Sequence, residues 1–354
     1  MKAFKLAQWG QPGQYVEVPK PEPGPADVLI RVKAAGLCRS DLDMVDNLPG
    51  DPPYANSLEP GYILGHENAG YVVKVGSAVT DLKPGDPVVV HHMRHCGNCE
   101  HCTDGAEQHC DAFKRGAIGM TRGCGMDGGL AEFMVAPRSE VIFLGEGVDP
   151  IQYAPLTDAG VTAYHAIRMV ADRLKPGNSI AIIGVGGLGS YAVQFAKLLS
   201  AAHVIAIDIK IPRLTKATEL GADEVAHFFD RSGEGTAQMI MDRTKGRGID
   251  VIVDFVGSAD TLKLAAKVSR PRGRIVLVGM QGGTLEVGWG LLATSCEFMI
   301  SLGSTRQDLR EVCELTKAGK LTIDIERFAF EELDKAYEAL RFGTLWGRAV
   351  VVFP

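Results

Sequence analysis

Residues 180–183 are four consecutive apolar side chains, and the chain then reads Gly184-Val185-Gly186-Gly187-Leu188-Gly189 before Ala192, Phe195, Ala196 and Leu199 recur at helical spacing. A strand that feeds a helix through such a G-x-G-x-x-G turn presents free backbone N–H groups at a positive helix end, a natural seat for a pyrophosphate. The glycines allow the tight turn, the close approach of phosphate and the close packing of helix on strand. A second apolar run, residues 204–207, ends at Asp208, about 20 residues past the loop, where a ribose-binding carboxylate belongs. In a chain with 42 glycines the bare pattern also fits an ordinary turn. Strand before, helix after and acid at the end of the next strand favour a dinucleotide seat built from Gly184, Gly186, Gly187, Leu188, Gly189 and Asp208. From about residue 158 onward, apolar runs at 180–183, 204–207, 251–253 and 275–278 alternate with helical stretches, one of them over 214–220. That alternation predicts an α/β, doubly wound parallel sheet of the Rossmann type.

The first part of the chain has a different texture. Pro19, Pro21, Pro23 and Pro25 punctuate short segments, and residues 28–34, 83–90 and 131–135 carry strand or turn-and-strand patterns, so this part reads as small and mostly β. At 354 residues the chain is long for a single core. We therefore expect a catalytic domain over 1–158 and a nucleotide-binding domain over 159–303. The stretch 304–354, with helices at 309–318 and 333–340 and a strand at 349–353, is expected to return to the first domain. A net charge of −6 argues against nucleic acid or an anionic membrane as the main partner. No apolar run approaches the ~18–20 residues needed to span a bilayer, and the first residues lack the apolar core of a secretory signal. The expected compartment is the cytoplasm.

Four of the eight cysteines fall between Cys96 and Cys110. Cys96, Cys99, Cys102 and Cys110 give C-x2-C-x2-C-x7-C, and thiolates at this spacing can converge on one tetrahedral ion. Zinc prefers four sulfurs where its role is structural, and an iron–sulfur cluster is the alternative. The lobe would span about 91–115. His95, His101 and His109 lie among these cysteines but are not needed as ligands, and exposure is the expectation for them. A catalytic zinc wants three protein ligands and an open position, and Cys38, His66 and Asp158 together offer one sulfur, one nitrogen and one oxygen.

Taken together, Cys38-Arg39-Ser40-Asp41, Gly65-His66-Glu67, the cysteine lobe, the segment from Leu156 through Asp158 to Thr162, and the glycine loop occur in the order seen in zinc-dependent alcohol dehydrogenases. Nearly end to end, the chain resembles the medium-chain dehydrogenase/reductase family, and most of all its bacterial secondary-alcohol dehydrogenases. The resemblance implies a GroES-like catalytic domain beside the Rossmann domain, two zinc ions per chain and NAD(H). It implies that Cys38, His66 and Asp158 hold the catalytic zinc, with Asp158 where many relatives have cysteine, and that Glu67 can approach the metal during exchange. Ser40 would take the alcohol proton and Asp41 would orient His66. Arg39 and Arg348 would contact the cofactor pyrophosphate, Thr162 would lie near the nicotinamide, and Val256 and Val278 would add cofactor contacts. Asp43 stands where relatives often place a relay histidine. His92 stands where an apolar or aromatic pocket residue is common, and reads either as a polar pocket wall or as a surface histidine.

The chemistry implied is hydride transfer between an alcohol carbon and nicotinamide, with zinc as Lewis acid. Asp208 favours NAD over its 2′-phosphorylated form, while Lys210 and Arg213 are cations that can help a phosphate to bind. Leu302 and Gly303 stand where some relatives carry bulky aromatics, which predicts a wide pocket and a secondary or bulky hydrophobic alcohol. A homo-oligomer is expected, a tetramer before a dimer, since that is the habit of the bacterial relatives. Competing readings are a polyol, threonine or primary-alcohol dehydrogenase, a zinc-free quinone or enone reductase, and a catalytically silent dinucleotide-binding protein.

Overall fold

The computed structural model describes residues 1–46, 59–112, 121–230 and 233–354. These fall into two compact units: Met1–Val161 with Gly303–Gly319 and Ile323–Pro354, and Thr162–Leu302 with Lys320–Thr322.

The first unit is built on a seven-stranded sheet. Its order runs Val141–Phe143, Pro87–Val90, Glu67–Val75, Asp27–Gly36, Arg348–Val352, Ile325–Ala329, with Phe133–Pro137 also pairing the Asp27–Gly36 strand. Val28, Ile30, Val32, Val72, Val88, Val90 and Val351 supply the buried face, joined by Phe4, Leu6 and Leu64 from the small sheet formed by Lys2–Leu6, Gln14–Glu17 and Tyr62–Ile63 and its flank. Antiparallel register places Gly36 opposite both Glu67 and Val350. Consequently Cys38 and His66, just beyond those strand ends, and Arg348, the first residue of its strand, share one end of the sheet. The 3-10 run Pro150–Thr157, almost wholly buried, ends at Asp158.

The second unit is a six-stranded parallel sheet. Its order is Glu224–His227, His203–Asp208, Ser179–Ile183, Ile249–Asp254, Ser269–Leu277, Glu297–Ile300. Every residue of Ser179–Ile183 and of Ile249–Asp254 is buried, as strands covered on both faces require. The order of the strands reverses beside Ser179–Ile183, the arrangement that opens a ligand crevice at the strands' carboxyl ends.

The doubly wound sheet is as expected from sequence, but three of its elements, the Glu224–His227 and Glu297–Ile300 strands and the Glu234–Arg243 helix, were not anticipated. The helix expected at 309–318 begins earlier, at Arg306, because Thr305 and Asp308 form a reciprocal cap: Thr305 Oγ1 accepts from the Asp308 N–H, and the Asp308 carboxylate accepts from the Thr305 N–H. Among the described residues no helix is long and apolar enough to cross a membrane.

Candidate metal and dinucleotide sites

Cys38, His66 and Asp158 bring one sulfur, one nitrogen and one oxygen within 4.8 Å of one another. Asp41 lies at the start of the Arg39–Asp46 helix and is fully buried. Its Oδ2 accepts from the Cys38 N–H at 2.8 Å and its Oδ1 faces His66 Nδ1 at 3.4 Å, so one carboxylate braces two of the three donors. His66 Nε2 is thereby turned toward Asp158 Oδ2 at 3.4 Å and Ser40 Oγ at 3.2 Å. Burial opposes the charge of Asp158, but His66, His92 and Arg348 outweigh it and hold its carboxyl well below the usual carboxylate range.

Arg348, expected at a pyrophosphate, is buried here, with its Nε donating to Glu67 Oε2 at 3.0 Å and its Nη2 bonded to Glu67 Oε1 and 3.8 Å from Asp158. Glu67 also accepts from the Ala159 N–H at 3.1 Å, which fixes the backbone next to Asp158. Glu67 and Asp158 face the one buried guanidinium, Arg348, and Asp41 faces His66, so buried carboxylates are in excess of the guanidinium here. A divalent cation among Cys38, His66 and Asp158 offsets that excess. The donor set therefore fits zinc.

Asp43 is half-turned to solvent and pairs with Arg39 at 3.4 Å, and burial raises its carboxyl above the ordinary value. His92 is not a surface residue: it is buried, with Nδ1 2.6 Å from the Thr157 carbonyl and Nε2 3.8 Å from Asp158 Oδ1. The surface reading is thus overturned, since the His92 strand end is folded under the Asp158 loop. The Thr157 carbonyl is a contact that sequence gave no signal for. His101 and His109 are exposed, whereas His95 is half-buried.

In the cysteine lobe no disulfide forms. Cys96 and Cys102 sulfurs lie 3.9 Å apart, as do those of Cys99 and Cys110, and the Cys96 N–H donates to the Cys110 sulfur at 3.3 Å. Four sulfurs at the zinc–sulfur bond length on the corners of a tetrahedron stand ~3.8 Å apart. The lobe already has the spacing of a closed zinc site.

In the second unit the Gly184 to Gly189 loop joins the Ser179–Ile183 strand to the Gly189–Leu199 helix, which opens without a side-chain cap and turns its positive end toward the loop. A Cβ at Gly189 would lie 2.0 Å from the Gly184 carbonyl oxygen, so only glycine fits that close turn. Asp208 ends its strand, and its carboxylate accepts from the Val185 N–H at 2.8 Å and the Lys210 N–H at 2.9 Å, with Arg213 Nη1 at 3.7 Å. It holds the glycine loop as well as occupying the position expected for ribose. Val256 and Val278 lie just past the carboxyl ends of the neighbouring strands, and Thr162 lies in the Ala159–Arg168 helix.

The sequence matches the family described as alcohol dehydrogenase GroES-like domain over residues 24–146 and that described as zinc-binding dehydrogenase over residues 187–318. It is 34% identical to an NAD-dependent alcohol dehydrogenase of Sulfolobus acidocaldarius, over 99% of each chain. Among solved structures it is similar to the alcohol dehydrogenase of Aeropyrum pernix, with a TM-score of 0.89 and 34% identity over 100% of both chains. It is also similar to the acetophenone reductase of Geotrichum candidum in complex with NAD, with a TM-score of 0.84 and 29% identity over 99% of this chain and 97% of that one.

Proposed function

We propose, from the premise that this chain belongs to the zinc-dependent medium-chain alcohol dehydrogenases and is an NAD-dependent oxidoreductase of that family, that it oxidises secondary or bulky hydrophobic alcohols and reduces the matching ketones. The observation that carries this reading is the buried Cys38, His66, Asp158 set, braced by Asp41 and flanked by Ser40. Zinc bound there supplies Lewis acidity toward the alcohol oxygen, and NAD accepts the hydride. The substrate loses the proton of its hydroxyl oxygen and a hydride from the carbon that bears that oxygen, and leaves as a ketone. Ser40 is positioned to accept that proton, with Asp43 as an onward acceptor. Arg348 neutralises Glu67, Arg39 is exposed for an anionic cofactor, and Asp208 excludes a 2′-phosphate by its charge. Leu302 and Gly303 carry no aromatic ring, which supports room for a bulky substrate, and a bulky ketone, acetophenone, is named for a similar reductase.

A steady-state panel of alcohols and ketones with NAD(H) and NADP(H), before and after chelation, tests this reading. Secondary alcohols with NAD should give the highest kcat/KM, and chelation should remove the activity. A large advantage for short primary alcohols would overturn the substrate assignment, and equal efficiency with NADP would overturn the role of Asp208.

Assembly into a homo-oligomer, a tetramer before a dimer, is supported by an open sheet edge. Among the described residues the Glu297–Ile300 strand pairs on one side only, and Ile300 is 70% exposed, with Trp289 at 97%. An apolar unpaired edge is a template for another chain. Ile300→Lys is expected to lower the assembly state seen by sedimentation, and an unchanged state would show that this edge is not the interface. Eight free cysteines suit a cytoplasmic, reducing setting.

A further inference from the structure

Strand register sets Ile207, Ile183, Asp254 and Leu277 in one row across the parallel sheet. The next row, at or just past the carboxyl ends of those strands, is therefore Asp208, Gly184, Phe255 and Val278. Neighbouring strands stand ~4.8 Å apart, so this row is ~14 Å long. A dinucleotide with its adenosine ribose at Asp208 and its pyrophosphate at the glycine loop has crossed only the first part of it. Its nicotinamide half must lie over the turns that follow the Ile249–Asp254 and Ser269–Leu277 strands. Val256 and Val278 stand half-buried in those turns. A Cβ at Gly184 would lie 2.5 Å from Val256 Cγ2, so the first turn packs directly against the glycine loop.

Asp254 is bonded to both turns. Its Oδ1 accepts from the Val256 N–H at 2.8 Å and the Gly257 N–H at 3.0 Å. Its carbonyl accepts from the Val278 N–H at 2.8 Å and the Gly279 N–H at 2.9 Å. The turns also close on each other: the Val256 carbonyl accepts from the Gln281 N–H at 3.3 Å and the Gly257 carbonyl from the Gly283 N–H at 2.9 Å. A Cβ at Gly279 would lie 2.2 Å from the Val256 carbonyl carbon, so the two backbones touch. Asp254 is wholly buried, yet its Oδ2 has no hydrogen-bond partner among the described residues. A buried carboxylate with one oxygen unbonded opposes folding. Such departures from good packing gather where function needs them.

Building on the NAD-dependent dehydrogenase reading above, we propose that Asp254 is a positioning residue for the nicotinamide half of the cofactor. It touches neither substrate nor cofactor, and acts by fixing the two turns on which the nicotinamide rests. The test titrates two ligands into the zinc-loaded wild type, Asp254→Ala and Asp254→Asn. One is NADH, followed by its fluorescence. The other is ADP, followed by calorimetry, which carries only the half seated at Asp208 and the glycine loop. Asp254→Ala is expected to weaken NADH roughly tenfold, the worth of one or two hydrogen bonds, and ADP by less than about twofold. Asp254→Asn, which keeps an acceptor for the Val256 and Gly257 N–H groups, should stay within about threefold of the wild type for both ligands. Should Asp254→Ala not fold, Asp254→Ser, whose hydroxyl is drawn back from those N–H groups, takes its place in the same comparison. Equal loss of both ligands would mean that Asp254 holds the sheet as a whole, and the proposal falls. It falls too if NADH binding is undiminished, or if Asp254→Asn is as weak as Asp254→Ala. A wild type that oxidises alcohols with NAD, with variants that show no such split, leaves the dehydrogenase reading standing and removes the proposal alone. A wild type that binds neither NADH nor ADP removes both.

Discussion

Replacing His66 with alanine is expected to lower kcat/KM for alcohol oxidation on the order of a thousandfold or more, the scale of the charge stabilisation a Lewis acid supplies. Bound zinc should fall from two ions per chain to one. The argument lies in how many groups depend on this ring. Nδ1 faces the buried Asp41 carboxylate at 3.4 Å, while Nε2 faces Asp158 and Ser40 at 3.4 and 3.2 Å. Removing the imidazole takes away one of three donors, and it also leaves Asp41 and Asp158 as negative charges without the ring between them. Because Asp41 holds the Cys38 backbone as well, the loss spreads to a second donor. His66→Gln, which fills more of the space, guards against attributing the result to collapse. Both variants should unfold cooperatively and still bind NADH, since the glycine loop and Asp208 lie in the other unit. Full activity with both zinc ions retained in either variant would remove His66 from the ligand set.

The parts of this fold that the sequence made legible are those with a strong local signature. The central strands Ser179–Ile183 and Ile249–Asp254 are buried on both faces and therefore read as unbroken apolar runs. The four-cysteine lobe is legible because its ligands are near neighbours in sequence. The elements that were missed carry weaker patterns. Glu224–His227 and Glu297–Ile300 are four-residue edge strands that mix charged and apolar residues, and their place is set by the strand beside them. The early start of the Arg306–Lys317 helix rested on a Thr305–Asp308 cap rather than on apolar spacing. Around the metal site, long-range pairing was the obstacle. Arg348 and Glu67 are 281 positions apart, and only the antiparallel register of the Arg348–Val352, Asp27–Gly36 and Glu67–Val75 strands makes them neighbours. For His92 the residue type was visible but its direction was not, because that depends on the Thr157 carbonyl, a backbone atom with no sequence signature.

Removing one sulfur from the cysteine lobe should cost stability rather than chemistry. Cys110→Ala is expected to release one zinc ion per chain and to lower the unfolding temperature by ~10 °C, corresponding to a loss of at least ~3 kcal/mol. Cys110 is buried, its sulfur accepts from the Cys96 N–H at 3.3 Å, and it stands 3.9 Å from Cys99. Without it, three thiolates surround an ion with an open corner, and the remaining sulfurs repel one another once the metal leaves. The lobe's own helix, Glu100–Thr103, is four residues long and buries none of them. One tie to the rest of the unit is Glu107, whose Oε1 accepts from the Arg306 N–H at 2.8 Å and Nε at 2.9 Å. Loss of zinc should therefore expose the lobe to proteolysis before the rest of the unit unfolds. Turnover per remaining catalytic zinc should change only a few-fold, since Cys38, His66 and Asp158 have no ligand in common with the lobe. Two outcomes count against this account. Undiminished zinc and stability in Cys110→Ala would mean that the cysteines hold no ion, and a visible absorption band in the wild type would point to an iron–sulfur cluster in place of zinc. A colourless protein that loses one zinc and its thermal resistance together, with catalysis intact, identifies the lobe as a closed site whose fourth sulfur keeps both water and substrate from the metal.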